Sequence, residues 1–196
     1  MQDPQSMPGN LCPLNRFNVA DYASLQTLET AAAYQRGREL EQRGISGGFD
    51  SPHLQAIHRY LFQDVFPWAG QLRAVNIAKN GSQFGPVAYI GSALAETLAK
   101  LKEEGLLAHL TRANFCLGAA FYLGEINAIH PFREGNGRTQ REFIRELAVQ
   151  AGHPLSWAGF TQQQMVEASI ASHVRGDNSG LAGIIEAALL STRGAV

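Results

Sequence analysis

Cysteine is scarce in this sequence, and its placement is uninformative for metals. Only Cys12 and Cys116 occur, far apart and in no CxxC pair. That excludes a disulfide framework and a thiolate zinc site, and points to a reducing compartment. Long apolar runs are also missing: none reaches the roughly 18 residues that a membrane-crossing helix needs. The first residues, MQDPQSMPGNLCP, have neither a basic start nor an apolar stretch, so no signal peptide is expected. Charge is thin, at 17% of residues with a formal net value of −1. Such a chain exerts no long-range pull on nucleic acid or an anionic membrane, so any arginine cluster must act locally. There is no repeat, no low-complexity tract and no GxxxxGK[ST] phosphate loop.

What is present is helical. The 196 residues, 45% of them apolar, suit one domain with a substantial core. Residues 1–13, polar and rich in proline, are expected to be a flexible N-terminal segment, and 14–196 a single all-α domain. Residues 19–43 are rich in helix formers. Ser51-Pro52 is expected to open a second helix, Ser51 as its cap. QLRAVNIAK alternates, and Asn80-Gly81 signals a tight hairpin turn before QFGPVAYI, the one convincing β segment. Helices are further expected over 91–104, 107–129, 138–151, 161–173 and 180–191. The 107–129 segment, with Leu117, Phe121, Ile126 and Ile129, reads as the central buried helix.

The chemistry concentrates in HPFREGNGRTQR, residues 130–141. Pro131 pushes His130 out of helical geometry, so the chain turns there. Phe132 is expected to plug the core. Glycines 135 and 137 can adopt positive φ. A Gly-Asn-Gly loop entering a helix N-terminus presents main-chain N–H groups to an anion. Arg138 and Arg141 then lie along one helix side. Cations in a first helical turn oppose the helix dipole, a misfit that a bound polyphosphate removes. The Asn136 amide is expected to donate to a phosphate oxygen. Glu134 beside an anion makes sense if Mg²⁺ bridges it to the phosphates. His130, at the rim, has the proton affinity of a general base. Arg145 is expected to be a structural partner of Glu142 and Glu146. Asn127 either orients the His130 ring or is satisfied by backbone, and Trp157 either walls a base pocket or simply packs. His53, His58, His109, His153 and His173 are read as ordinary satisfied residues, and the five-residue step from His53 to His58 does not suit a helical metal pair.

Those twelve residues match the Fic signature HxFx(D/E)GNGRxxR at every defined position. The sequence therefore resembles Fic domains of the Fic/DOC superfamily. The likeness extends over about residues 14–175, through LNRFNVADYASLQTLE, IHRYLFQDVFPWAGQLR and the NIAKNGSQFGP segment that resembles a target-docking flap. The resemblance implies a helical domain with a small β-hairpin flap, and a protein adenylyltransferase that transfers AMP from ATP to a protein hydroxyl with release of pyrophosphate. By position it implies His130 as the base and Glu134 as the Mg²⁺ carboxylate. Gly135, Asn136 and Gly137 would cradle the α- and β-phosphates, Arg138 would reach the β-phosphate and Arg141 the γ-phosphate. Ile77, Ala78, Lys79 and Asn80 would pair main chain to main chain with the target. Relatives with lysine in place of Gly137 pass on a γ-phosphate instead, so glycine favours nucleotidyl transfer. The inhibitory pattern (S/T)xxxE(G/N) is absent: Ser92 to Glu96 is followed by Thr97. A stand-alone, toxin-like enzyme is implied, inhibited in trans by a small antitoxin whose glutamate meets Arg141, with a type II topoisomerase subunit as one candidate target. It would work in the cytoplasm, its own or that of another cell into which it is delivered. The alternatives are a nucleotide-binding regulatory domain without catalysis, and transfer of another nucleotide or a phosphoryl group.

Overall fold

The computed structural model describes residues 3–79 and 82–190. Among them, seven α-helices wrap one core. α1 (Tyr22–Arg43) starts where the Asp21 carboxylate accepts the Ser24 N–H, and stops at Gly44. α2 (Ser51–Phe62) is capped by Asp50, not by Ser51, with Pro52 in its first turn. The carboxylate one residue earlier reaches the His53 N–H at 3.1 Å, while Ser51 already sits inside the helix. α2 buries Leu54, Ile57, His58, Leu61 and Phe62.

The β content is smaller than the alternating pattern suggested. β1 (Ala78–Lys79) and β2 (Ser82–Gln83) form one antiparallel ladder of two residues each, Ala78 opposite Gln83. The turn at Asn80-Gly81 lies outside the described residues. Residues 71–77 join no strand, because this stretch is tied elsewhere: the Arg73 N–H donates to Pro131 O at 2.9 Å.

α3 (Ile90–Glu103) and α4 (Arg112–Ile129) follow, the latter capped by Thr111. α4 packs against α3 and against α5 (Asn136–Gln150), α6 (Gln162–Arg175) and α7 (Ser179–Ala188), and is the central helix that was expected. Its buried face is Phe115, Ala119, Tyr122, Leu123 and Ile126, however, while Leu117 is 61% and Phe121 37% exposed. Periodicity cannot orient a helix that is apolar nearly all round. α5 begins at Asn136, two residues before the expected start, and α6 carries a full capping box between Thr161 and Gln164. The last residue of the expected 180–191 helix lies outside the described residues. No helix among them is long and apolar enough to cross a membrane.

Residues 3–13, expected as a flexible lead-in, are folded onto this body. Gln5, Ser6 and Cys12 are buried, Leu14 N donates to Gln5 O at 2.8 Å, and Trp68 Nε1 donates to Leu14 O at 2.9 Å. Cys12 and Cys116 are both free thiols.

Candidate active site

α4 ends at His130, whose backbone is left-handed (φ 50°, ψ 64°). A non-glycine residue there needs holding. Arg73 supplies the hold. Its guanidinium donates to His130 O at 2.8 Å, Ile129 O at 3.2 Å, Val75 O at 2.7 Å and also Gly85 O. The residue is only 3% exposed, and burial pushes its pKa down. The carbonyls at the C-terminal, negative end of α4 serve as its counter-charge. Nothing in QLRAV marked this arginine as part of the site.

Phe132 is fully buried, as expected, and stacks on the His58 ring with centroids 3.9 Å apart. His58 is a satisfied core residue: Gly70 N donates to its Nδ1 at 2.8 Å, so its Nε2–H donates to Glu134 O at 3.0 Å. Burial lowers its pKa to about 3 and keeps the ring neutral.

Asn136 departs from expectation. Its side chain is 3% exposed and closes the loop on itself, Oδ1 accepting from Phe132 N at 2.9 Å and Nδ2 donating to Phe132 O at 2.7 Å. The buried main chain of Phe132 needs those partners. The amide oxygen and one of its two N–H groups are therefore committed to closing the loop. Gly135 has φ 78°, and a Cβ there would lie 2.4 Å from the Phe62 ring. Gly137 does not take positive φ; it lies in the first turn of α5, where a Cβ would approach Arg141 Nη1 at 3.3 Å. No side chain caps α5, so its first N–H groups have no partner within the helix.

The two motif arginines share a helix side but not a state. Arg138 pairs with the buried Glu29 carboxylate of α1 and lies 4.9 Å over the Phe62 ring. Burial raises the Glu29 pKa, and Arg138 opposes that rise. The Arg141 guanidinium has no ion pair or hydrogen bond among the described residues, and burial, then Arg138, lower its pKa. Its main-chain oxygen accepts from Trp157 Nε1 at 2.9 Å, so Trp157 both packs and lines the cleft. Arg145 is structural, bonding both Glu142 oxygens at 2.7 and 2.9 Å.

The His130 Nδ1 lies 3.2 Å from Asn127 O. A carbonyl only accepts, so Nδ1 carries the proton and Nε2 the lone pair in the neutral ring. The backbone of Asn127, rather than its side chain, makes this bond. Phe84 stacks on the imidazole at 3.8 Å. Glu134 Oε1 accepts from Tyr22 Oη at 3.2 Å and Arg133 Nη1 at 3.3 Å. Burial first, and then Glu134, raise the Tyr22 pKa to about 12, so the phenol stays a donor. Among the described residues no group of three or more His, Cys, Asp or Glu is placed to hold a metal. One carboxylate beside an anion cradle fits Mg²⁺, which completes its shell with phosphate and water; it does not fit zinc.

These groups line one cleft of about 720 Å³: His130, Glu134, the Gly135–Gly137 loop, Arg138 and Arg141, closed by Phe84, Trp157 and Phe160. Its size suits a nucleotide. A shallower depression of about 530 Å³ over Gln26, Thr27, Thr30, Ala31 and Tyr34 of α1 contains no charged group. Of the expected flap residues, Ala78 and Lys79 form β1 and Ile77 O accepts from Phe84 N at 3.3 Å, while Asn80 lies outside the described residues. Neither Ile77 nor Ala78 lines the cleft; the segment touches it through Phe84.

The sequence pattern of the Fic/DOC family matches residues 48–148. The chain belongs to the Fic/DOC family. Protein adenylyltransferase VbhT of Bartonella schoenbuchensis is 43% identical over 171 residues, covering 87% of this chain. The chain spans only about a third, 36%, of that relative's length. Probable protein adenylyltransferase Fic of Escherichia coli K12 is 38% identical over 168 residues, 86% of this chain and 83% of the relative. The fold matches that of BepC from Bartonella tribocorum, a Bartonella effector solved with bound AMPPNP, with a TM-score of 0.89 at 23% identity over 95% of this chain and 96% of that one. Phe84, Glu29 and Tyr22 line this cleft and Arg73 holds His130 from behind it, yet none of the four belongs to the motif.

Proposed function

We propose that this Fic-family chain is a protein adenylyltransferase that transfers AMP from ATP to a hydroxyl side chain of a target protein and releases pyrophosphate. One observation carries the proposal: Arg141, a half-buried cation without a partner among the described residues, stands over an uncapped helix N-terminus in the cleft that holds His130. An unpaired, desolvated guanidinium is costly, and an anion delivered to it removes that cost. The first N–H groups of α5 and the guanidinium of Arg141 bind phosphate oxygens, and Arg138 shifts from Glu29 onto the chain of phosphates. His130, held through Nδ1 and stacked on Phe84, accepts at Nε2 the proton of the attacking hydroxyl. Glu134 would hold Mg²⁺, which would neutralise phosphate charge. Residues 77–80 align the target segment by main-chain pairing, and the low-dielectric cleft lets fixed charges supply most of the catalysis.

Control in trans fits the same site. An antitoxin glutamate presented to Arg141 would satisfy that cation and exclude the γ-phosphate, and residues 1–196 contain no (S/T)xxxE(G/N) pattern. The working compartment is a cytoplasm, and a topoisomerase subunit is a candidate target.

The test incubates the protein with ATP labelled at the α-phosphate, Mg²⁺ and a cell lysate. Labelled protein bands that His130→Ala abolishes support the proposal. Binding of nucleotide without transfer would identify a regulatory domain instead, and label transferred only from the γ-position would identify a phosphotransferase. Arg141→Met should weaken ATP binding by roughly 30-fold, the loss of one charge-assisted contact.

A further inference from the structure

Glu134 shares a cation with a residue 131 positions earlier. Arg133 Nη1 touches Glu134 Oε1 at 3.3 Å, whereas Arg133 Nε donates to Asp3 Oδ2 at the shorter 2.8 Å. The Arg133 and Asp3 side chains are only 17% and 15% exposed, so water screens their charges weakly. Arg133 Nη2 also reaches Leu11 O at 3.4 Å, which fastens the guanidinium to the N-terminal segment. Asp3 is fixed in turn, accepting from Gln5 N at 2.9 Å and Ser6 Oγ at 2.8 Å, and Gln5 Nε2 donates to Leu72 O at 3.3 Å. Tyr22, the other donor to Glu134, is neutral and orients the carboxylate without cancelling its charge.

We propose that Asp3 is a positioning residue for Glu134: it draws the Arg133 guanidinium away from that carboxylate and so preserves the negative charge that a divalent cation needs. The inference rests on the reading of Glu134 as the metal-holding carboxylate. Without Asp3, the adjacent guanidinium collapses onto Glu134, covers both its oxygens and competes with the metal. The N-terminal segment, held by its own buried residues and main-chain bonds, then acts on the site through this ion pair.

The test measures thermal stabilisation of the full chain by ADP during a Mg²⁺ titration, with no turnover involved. Asp3→Asn should raise the Mg²⁺ concentration at half-effect by about tenfold, the scale of one unscreened neighbouring charge. It should leave binding of Mg²⁺-free ADP unchanged. Adding Arg133→Gln to Asp3→Asn should return the midpoint to near that of the unaltered protein, and Asp3→Glu should largely preserve it. Arg133→Gln alone, which needs no Asp3 partner to fold, should bind Mg²⁺ at least as well as the starting protein. An unshifted midpoint in Asp3→Asn, or a double variant as impaired as Asp3→Asn, would overturn the inference. Glu134→Gln without any change in midpoint would instead overturn the metal reading beneath it.

Discussion

The turn from His130 to Arg138 and the segment from Arg73 to Gly85 meet where Phe84 stacks on His130, and they are built differently. In the turn, most groups are already engaged inside the protein. Phe132 is buried, Asn136 bonds the Phe132 main chain twice, His58 holds Glu134 O, and His130 is held by Asn127 O. The second segment has a ladder of two residues per strand and is fastened mainly at its ends, by Arg73 on Gly85 O, by Gly85 N on Ala128 O at 3.0 Å and by His173 on Gln83 O at 3.1 Å. Chemistry needs fixed geometry, and the groups proposed to react sit on packed helix ends. Main-chain recognition needs unspent backbone donors and acceptors, and the segment proposed to meet the target is thin and lightly paired among its described residues.

That contrast can be broken most severely at its junction. His130→Ala should lower AMP transfer by about a thousandfold, the usual worth of a general base, with nucleotide binding nearly unchanged in calorimetry. Equal losses in transfer and binding would mean that His130 is only a prop. Arg73→Met, which ties both regions together, should destabilise the protein by about 3 kcal/mol in urea unfolding, because several buried carbonyls lose their donor at once. Gly135→Ala tests how rigid the turn is. A Cβ at φ 78° and 2.4 Å from the Phe62 ring should cost about 2 kcal/mol in the same assay.

His58 sharpens the comparison through pH. Its folded pKa, about 3, is below the ordinary 6.5, so the unfolded chain takes up the proton first. Its contribution to stability is complete above pH 6.5 and is lost as pH falls toward 3, at about 1.4 kcal/mol per pH unit. His58→Gln, which keeps a side-chain donor, should flatten that slope in pH-dependent unfolding. The smallest effect belongs to the lightly paired segment: Ala78→Ser should change transfer to a target protein by less than about threefold, because a main-chain reader tolerates side-chain change. A larger loss in steady-state transfer would show that side chains there are read.

Much of the site was legible because local spacing dictates local geometry. A proline after His130 forces the bend, Gly135 supplies the positive φ, and an apolar Phe132 among polar neighbours must go inward. The same logic missed that the Asn136 amide also closes the loop on Phe132, that Gly137 is helical, and which way Leu117 and Phe121 face, because a helix apolar on all sides gives no bearing. The residues that complete the site left no local trace. Glu29 meets Arg138 across 109 positions, Tyr22 meets Glu134 across 112, and Asp3 meets Arg133 across 130.

By itself, then, the sequence determined the helices, the sharp exit from α4 and the cluster of base, acid and cations on one turn, since each follows from dihedral limits and helical period within a dozen residues. Only the tertiary structure decided that Arg138 is paired while Arg141 has no partner among the described residues, that Arg73 holds His130 in its strained backbone, and that Asp3 of the N-terminal segment pairs with Arg133 beside Glu134. Those outcomes depend on which distant carboxylates and carbonyls the packed core brings within hydrogen-bond reach, and electrostatic partnership in a folded chain is set by distance in space rather than along the chain.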